Sequence, residues 1–127
     1  MKVVLVDDSP DVQSALRRLL EADRAIEVVG CAEDAQGARD MVERCRPDLV
    51  VLDVSLGGGK GGYELLRCLH QDWPELIVVM LSNYSGASMR KTFLDAGAQA
   101  YFDKALEFRN AVRWIADHAQ PRPNMVG

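Results

Sequence analysis

Four aspartates, one serine and one lysine stand out for where they fall. Asp7 and Asp8 follow the apolar run 3–6, Asp53 follows 49–52, Ser82 follows 76–81, and Asp103 with Lys104 follows 100–102. Three carboxylates held within a few ångströms repel by a few kcal/mol per pair, even at an effective dielectric of ~20. A cluster of Asp7, Asp8 and Asp53 therefore needs compensation. A lysine offsets one charge. A hard divalent cation that prefers oxygen ligands offsets two, and Mg²⁺ is the one that fits. Such a cation beside Lys104 makes a site for a phosphoryl group, whose oxygens both charges neutralise while a carboxylate attacks the phosphorus. Asp53 is the expected acceptor, because it ends the central strand of the order argued below. Asp7 and Asp8 come from one turn and are placed to hold the metal from one side. Ser82 is expected to donate to one phosphoryl oxygen and Lys104 to pair with another. Each residue alone has a plainer use: Asp-Asp-Ser-Pro caps a helix, a strand-end Asp serves a turn, a lone lysine is solvated. It is the joint placement that points to a site.

That placement requires a fold that gathers strand ends. The apolar runs 3–6, 26–29, 49–52, 76–81 and 100–102 are mostly continuous, as in strands covered on both faces. Between them lie stripes of helical period: Val12, Ala15, Leu16, Leu19, Leu20; then Ala35, Ala38, Val42, Cys45; then Leu65, Leu66, Leu69. Met89, Thr92, Phe93 and Ala96 mark a fourth helix, and Phe108, Ala111, Val112, Ile115, Ala116 and Ala119 a fifth. Ser9-Pro10 reads as a cap with proline at the first helical position, and Asp34 caps the second helix. Pro47 and Pro74 follow helices two and three, and Gly97 stands where a left-handed residue would close helix four. Strict alternation with right-handed crossovers gives an α/β domain: a five-stranded parallel sheet of order 2-1-3-4-5, a doubly wound (βα)5 flavodoxin-like fold. The domain is expected over 3–119, with 120–127 a short C-terminal tail that leaves no room for an output domain.

Composition narrows the function classes. The chain has 127 residues, 48% hydrophobic and 27% charged, the size and balance of one globular domain. The net charge is −4, with no basic stripe and no helix-turn-helix pattern, which argues against direct nucleic-acid binding. No apolar run approaches a membrane span, and two acids interrupt the N-terminal run too early for a signal peptide. Cys31, Cys45 and Cys68 lack metal-ligand spacing and read as reduced core residues of a cytoplasmic protein. The glycine-rich stretch 57–62 is no phosphate-binding P-loop, because Lys60 is followed by Gly61.

In its motifs the chain resembles the receiver (CheY-like) domain of bacterial two-component response regulators, in the stand-alone single-domain form. The motifs are Val4-Leu5-Val6-Asp7-Asp8-Ser9, Leu49-Val50-Val51-Leu52-Asp53, Val79-Met80-Leu81-Ser82-Asn83 and Gly97-Ala98-Gln99-Ala100-Tyr101-Phe102-Asp103-Lys104. The resemblance implies Asp53 as phosphoacceptor, Asp8 as direct Mg²⁺ ligand, Asp7 as a second acid acting through water, and the Ser55 carbonyl completing the metal shell. It implies Ser82 as switch hydroxyl, Lys104 as the phosphate-pairing lysine, and Tyr101 as the aromatic that turns inward on phosphorylation. Ser55, Asn83 and Tyr84 fall where receivers tune phosphate lifetime through water access, and a Tyr84 ring over the site would slow hydrolysis. The implied phosphodonor partner is a histidine kinase or a histidine phosphotransfer domain. An unnamed downstream protein would read the face of helix four, strand five and helix five, with Arg90, Lys91, Arg109 and Arg113 on it. The chain is expected to be a monomer or a weak dimer through that face. It is expected to be no enzyme beyond its own phosphoryl transfer and autodephosphorylation.

Two departures from the family pattern carry expectations. Gly57 replaces the proline usual four residues after the acceptor, so the loop 57–62 is expected to be mobile, with Lys60 in solvent near the acids. Ala105 replaces the proline after the lysine, and a cis bond there would cost ~2.5–4 kcal/mol, so a trans bond is expected unless the site demands strain. Two other functions were weighed. One is a non-phosphorylated interaction module on the same fold. The other is an aspartyl-phosphate phosphatase, which would want a second Asp where Ser55 stands and a cap domain.

Overall fold

The computed structural model describes residues 1–58, 61–84 and 86–119. The elements run β1 (Lys2–Val6), α1 (Pro10–Glu21), β2 (Glu27–Ala32), α2 (Ala35–Cys45), β3 (Leu49–Asp53), a 3-10 turn (Leu56–Gly58), α3 (Gly61–Asp72), β4 (Ile77–Ser82), α4 (Ala87–Asp95), β5 (Ala100–Asp103) and α5 (Phe108–Ala119). The sheet has five parallel strands in the order β2-β1-β3-β4-β5, the expected doubly wound arrangement.

The continuous apolar strands have the cause the sequence implied. Alternate residues of a strand point to opposite faces, and both faces here are covered. Val3, Leu5, Leu49 and Val51 pack with Leu16 and Leu20 of α1 and Ala111 and Ile115 of α5. Val4, Val6, Val50 and Leu52 pack with Ala38 and Val42 of α2, Leu65, Leu66 and Leu69 of α3, and Phe93 of α4. Each fully buried leucine contributes about 1.5–3 kcal/mol of transfer free energy, and this is what fixes the register that aligns the strand ends.

Capping follows the sequence closely. Ser9 is the N-cap of α1 and accepts from Val12 N at 3.4 Å, with Pro10 at the first position. Asp34 caps α2 by accepting from Gly37 N at 2.7 Å. Gly97 follows α4 with φ +119°, the positive value expected there, while α2 closes on Arg46 at φ 49° without a glycine.

Several local expectations are corrected. β2 starts one residue late and continues through Gly30 and Cys31 to Ala32. Its pairing with β1 skips Val29, a bulge that hides the strand from a reading based on apolar runs. Gly30 leaves the room that the Met41 side chain fills, since a Cβ there would overlap its Sδ. Gly61 and Gly62 are the first turn of α3 and not loop, whereas Gly59 and Lys60, with their expected mobility and solvation, lie outside the described residues. Thr92 is exposed and bonds back to Ser88 O at 2.9 Å, so the inner stripe of α4 reduces to buried Phe93 with Met89 and Ala96 half-buried. The three cysteines are free but half-buried, not core residues. All described peptide bonds are trans, the Lys104–Ala105 bond included. The tail 120–127 lies outside the described residues.

Candidate functional site

The carboxyl ends of β1, β3, β4 and β5 meet at one edge. Val6 pairs with Leu52, so the next residues, Asp7 and Asp53, leave the sheet side by side. Asp53 stands opposite Leu81, and Ser82 opposite Asp103. Asp7, Asp8 and Asp53 each offer a carboxylate oxygen, all within 4.8 Å of one another. Asp7 and Asp53 are buried and Asp8 is exposed. Lys104 reaches in from the end of β5, with Nζ 2.8 Å from Asp7 Oδ2 and 3.2 Å from Asp53 Oδ1. Its own backbone N donates to Ser82 O at 2.8 Å, continuing the β4–β5 pairing and fixing where the side chain starts. Asp7 Oδ1 accepts from Ser9 N at 2.9 Å, and Asp53 Oδ1 from Ser55 N at 3.0 Å.

These contacts have opposing electrostatic effects. Burial pushes the Asp53 carboxyl above the usual aspartate range; the Ser55 N–H and Lys104 pull it down, and the neighbouring Asp7 charge pushes it up again. For Lys104, burial alone would lower the ammonium, but its contacts with Asp7 and Asp53 outweigh that and leave it raised and charged.

The expected switch residues form a second group beside the first. Ser82 is fully buried; its Oγ accepts from Tyr84 N at 2.8 Å and donates to Tyr84 O at 3.1 Å. Tyr101, also buried, donates its hydroxyl to the same Tyr84 carbonyl at 2.8 Å. Burial is the main reason the Tyr101 hydroxyl is raised above the usual tyrosine range. Tyr101 stands inward, and the bond from its hydroxyl to Tyr84 O involves neither Asp53 nor a phosphoryl oxygen. Asn83 is exposed. Tyr84 is 56% exposed, and its backbone N and O make the contacts with Ser82 and Tyr101.

A model of the response regulator receiver domain matches residues 3–116. The chain belongs to this family. The receiver domain is 38% identical over 106 residues to a protein-glutamate methylesterase/protein-glutamine glutaminase of Syntrophus aciditrophicus, covering 82% of this chain and 30% of that protein. It is 37% identical over 117 residues to the DNA-binding transcriptional activator DevR/DosR of Mycobacterium tuberculosis, covering 92% of this chain and 54% of that protein. The chain thus spans between about a third and about half the length of these curated relatives. Among solved structures, the BeF3-activated N-terminal receiver domain of Klebsiella pneumoniae RstA superposes with a TM-score of 0.82 at 27% identity, covering 95% of this chain and 100% of that one. No helix among the described residues is long and apolar enough to cross a membrane.

Receiver domains bind Mg²⁺ at an acidic pocket, and the residues present here fit that ion. Asp7 Oδ2 is buried and, apart from its ion pair with Lys104, has no hydrogen-bond partner among the described residues. The exposed Asp8 carboxylate makes no hydrogen bond or ion pair among the described residues. Three carboxylates facing one ammonium leave an excess of negative charge that a hard oxygen-seeking cation offsets.

Three further residues brace this receiver's site and were not legible beforehand. Gln13 of α1 donates from Nε2 to Asp7 O at 2.6 Å and to Ala32 O at 3.2 Å, tying the ends of β1 and β2 together behind the acids. A polar residue one place from the apolar stripe gives no local sign of this. Gly62 packs against the Asp53 and Val54 carbonyls. Glu107 Oε1 accepts from Asp103 N at 3.1 Å, while Asp103 Oδ1 accepts from Ala105 N and Leu106 N at 2.8 and 2.9 Å. Asp103 thereby shapes the turn that carries Lys104 and is not among the clustered acids.

Proposed function

We propose that this receiver domain accepts a phosphoryl group on Asp53 from a phosphohistidine of a histidine kinase or phosphotransfer domain. The observation that carries the reading is the asymmetry of the Asp53 carboxylate. Oδ1 is held by Ser55 N and Lys104, whereas Oδ2 has no hydrogen-bond partner among the described residues. Oδ2 attacks phosphorus, the P–N bond breaks, and the departing imidazole nitrogen keeps the electron pair. Asp8 and Asp53 would hold Mg²⁺, with Asp7 acting through water and the Ser55 carbonyl completing the shell. The ion supplies charge neutralisation at the phosphoryl oxygens. Lys104 already lies beside Asp53 and needs only a small shift to pair with a phosphoryl oxygen. Ser82 is drawn toward the new charge and gives up its hold on the Tyr84 carbonyl. Tyr101 is left as the hydroxyl on that carbonyl, and the face of α4, β5 and α5 changes.

A downstream protein reads that face, or a second copy pairs weakly through it. The relatives bear names as different as a methylesterase and a DNA-binding activator. The segment shared with them is therefore read as the phosphorylated input, and autodephosphorylation is its only hydrolysis. Asn83 and Tyr84, beside Ser82, and Ser55, beside Asp53, are the positions that set how readily water reaches the acyl phosphate. The cell compartment consistent with such a donor is the cytoplasm.

Intact-mass spectrometry after incubation with a small phosphodonor and Mg²⁺ tests the reading. Wild type is expected to gain one phosphoryl group and Asp53→Asn none. An equal gain in both, or no gain in wild type, overturns Asp53 as acceptor.

A further inference from the structure

Arg90 of α4 lies at the junction of the switch and the surface. Its guanidinium carbon is 5.5 Å from the centroid of the Tyr101 ring. Its Nη2 is 3.3 Å from Glu107 Oε1, an ion pair that joins α4 to the start of α5. Glu107 is itself fixed, because the same oxygen accepts from Asp103 N and its own N donates to Asp103 O at 2.8 Å. The Tyr101 ring therefore has Phe93 on one side, at 5.8 Å between centroids, a cation beside it, and a hydroxyl bonded to Tyr84 O. An outward swing of the ring would lose all three contacts.

We infer that Arg90 is a positioning residue that holds Tyr101 in its buried place through contacts that involve no phosphoryl group, with Glu107 aiming the guanidinium. The inference rests on the switch reading of Ser82 and Tyr101 and adds to it an inward bias of the ring that is set from α4. A guanidinium suits the task because its planar fork can pair with a carboxylate while a face or edge lies near an aromatic ring. The adjacent Lys91 is an internal contrast: it pairs with Asp95 at 2.6 Å and is largely solvated. At a half-exposed site such a cation shifts the inward-to-outward ratio roughly two- to fivefold.

The test uses the full chain labelled with 3-fluorotyrosine. It has three tyrosines, Tyr63, Tyr84 and Tyr101, so Tyr→Phe variants assign the fluorine signals. The solvent isotope shift of the Tyr101 signal reads ring exposure and is insensitive to the mere loss of a nearby charge. It is measured with Mg²⁺, with and without beryllofluoride, in wild type, Arg90→Ala, Arg90→Lys and Lys91→Ala. Wild type is expected to show a shielded Tyr101 in both conditions. Arg90→Ala is expected to expose it without beryllofluoride, by the two- to fivefold change in ratio, and to recover shielding with it. Arg90→Lys should retain part of the shielding, and Lys91→Ala all of it. If Arg90→Ala leaves Tyr101 shielded while beryllofluoride still moves the Tyr84 signal, Arg90 is not the positioning residue and the switch reading survives. If beryllofluoride moves no tyrosine signal in any variant, the switch reading fails and this inference with it.

Discussion

The backbone of Gly62 presses on the carbonyl of Asp53: a Cβ on Gly62 would stand 2.5 Å from Asp53 O and equally close to Val54 O. Both neighbours are backbone atoms of the strand end that carries the acceptor, so neither yields cheaply. The first turn of α3 can close over the acceptor loop only if that position has no side chain. Gly62→Ala is therefore expected to destabilise the fold by about 2–3 kcal/mol through overpacking, and to slow phosphorylation by displacing Asp53. Urea unfolding and the rate of phosphoryl incorporation check the two effects. Unchanged stability would show that the turn relaxes freely.

Lys104 is the only cation within ion-pair distance of Asp7 and Asp53 among the described residues. Lys104→Ala leaves two buried carboxylates facing each other. Loss of one partner from a buried pair costs about 3–5 kcal/mol, and Mg²⁺ is expected to restore part of it. The variant should therefore melt well below wild type in EDTA and nearer to it in Mg²⁺. It should still be phosphorylated, but with a blunted change at Tyr84, whose backbone Ser82 holds. A full response without Lys104 would remove the lysine from the switch.

Acid dependence follows from the raised Asp53 carboxyl, whose largest cause is burial. Between its ordinary and its raised range the folded state holds this proton more readily than the unfolded state does. The charged form is thus a cost that sets in as pH rises through that window and is fully present at neutral pH. Asp53→Asn removes it and is expected to raise the melting temperature of the metal-free chain at pH 7. The advantage should shrink as pH falls through the window. Melting curves in EDTA across that range measure it, and a constant offset would contradict the assignment.

Gln13 acts behind the acids, on backbone carbonyls. Gln13→Ala is expected to weaken Mg²⁺ binding roughly tenfold, the low end for residues that orient metal ligands. Gln13→Glu should do more, because it sets an acceptor against the carbonyls of Asp7 and Ala32. Calorimetric titration with Mg²⁺, compared with melting in EDTA, separates lost metal affinity from general destabilisation. Equal affinity in wild type and Gln13→Ala would rule out the bracing role.

Much of the fold could be read from local signals: Ser9-Pro10 and Asp34 cap the helices they were expected to cap, and four of the five apolar runs lie almost wholly within their strands. The failures share a cause. The apolar run 26–29 stops short of the end of β2 because the bulge and the packing of Gly30 on Met41 depend on a partner strand and a neighbouring helix. Gly61 and Gly62 read as loop because their composition says flexible, while contact with Val54, Asp53 and Leu56 makes them helical. Thr92 kept the helical period of α4 without joining its buried face.

What the sequence determined by itself is which chemical groups end the strands and in what order those ends meet. Continuous apolar runs demand a sheet covered on both faces, and parallel pairing then brings every carboxyl end to one edge. This places Asp7, Asp8, Asp53, Ser82 and Lys104 together. Only the tertiary structure decided how those groups share partners. Lys104 lies between two carboxylates, Ser82 and Tyr101 bond one carbonyl, Gln13 braces Asp7 from behind, and Arg90 reaches both Tyr101 and Glu107. Each of these depends on strand register and side-chain rotamer to within about an ångström, and no spacing along the chain encodes distances of that kind.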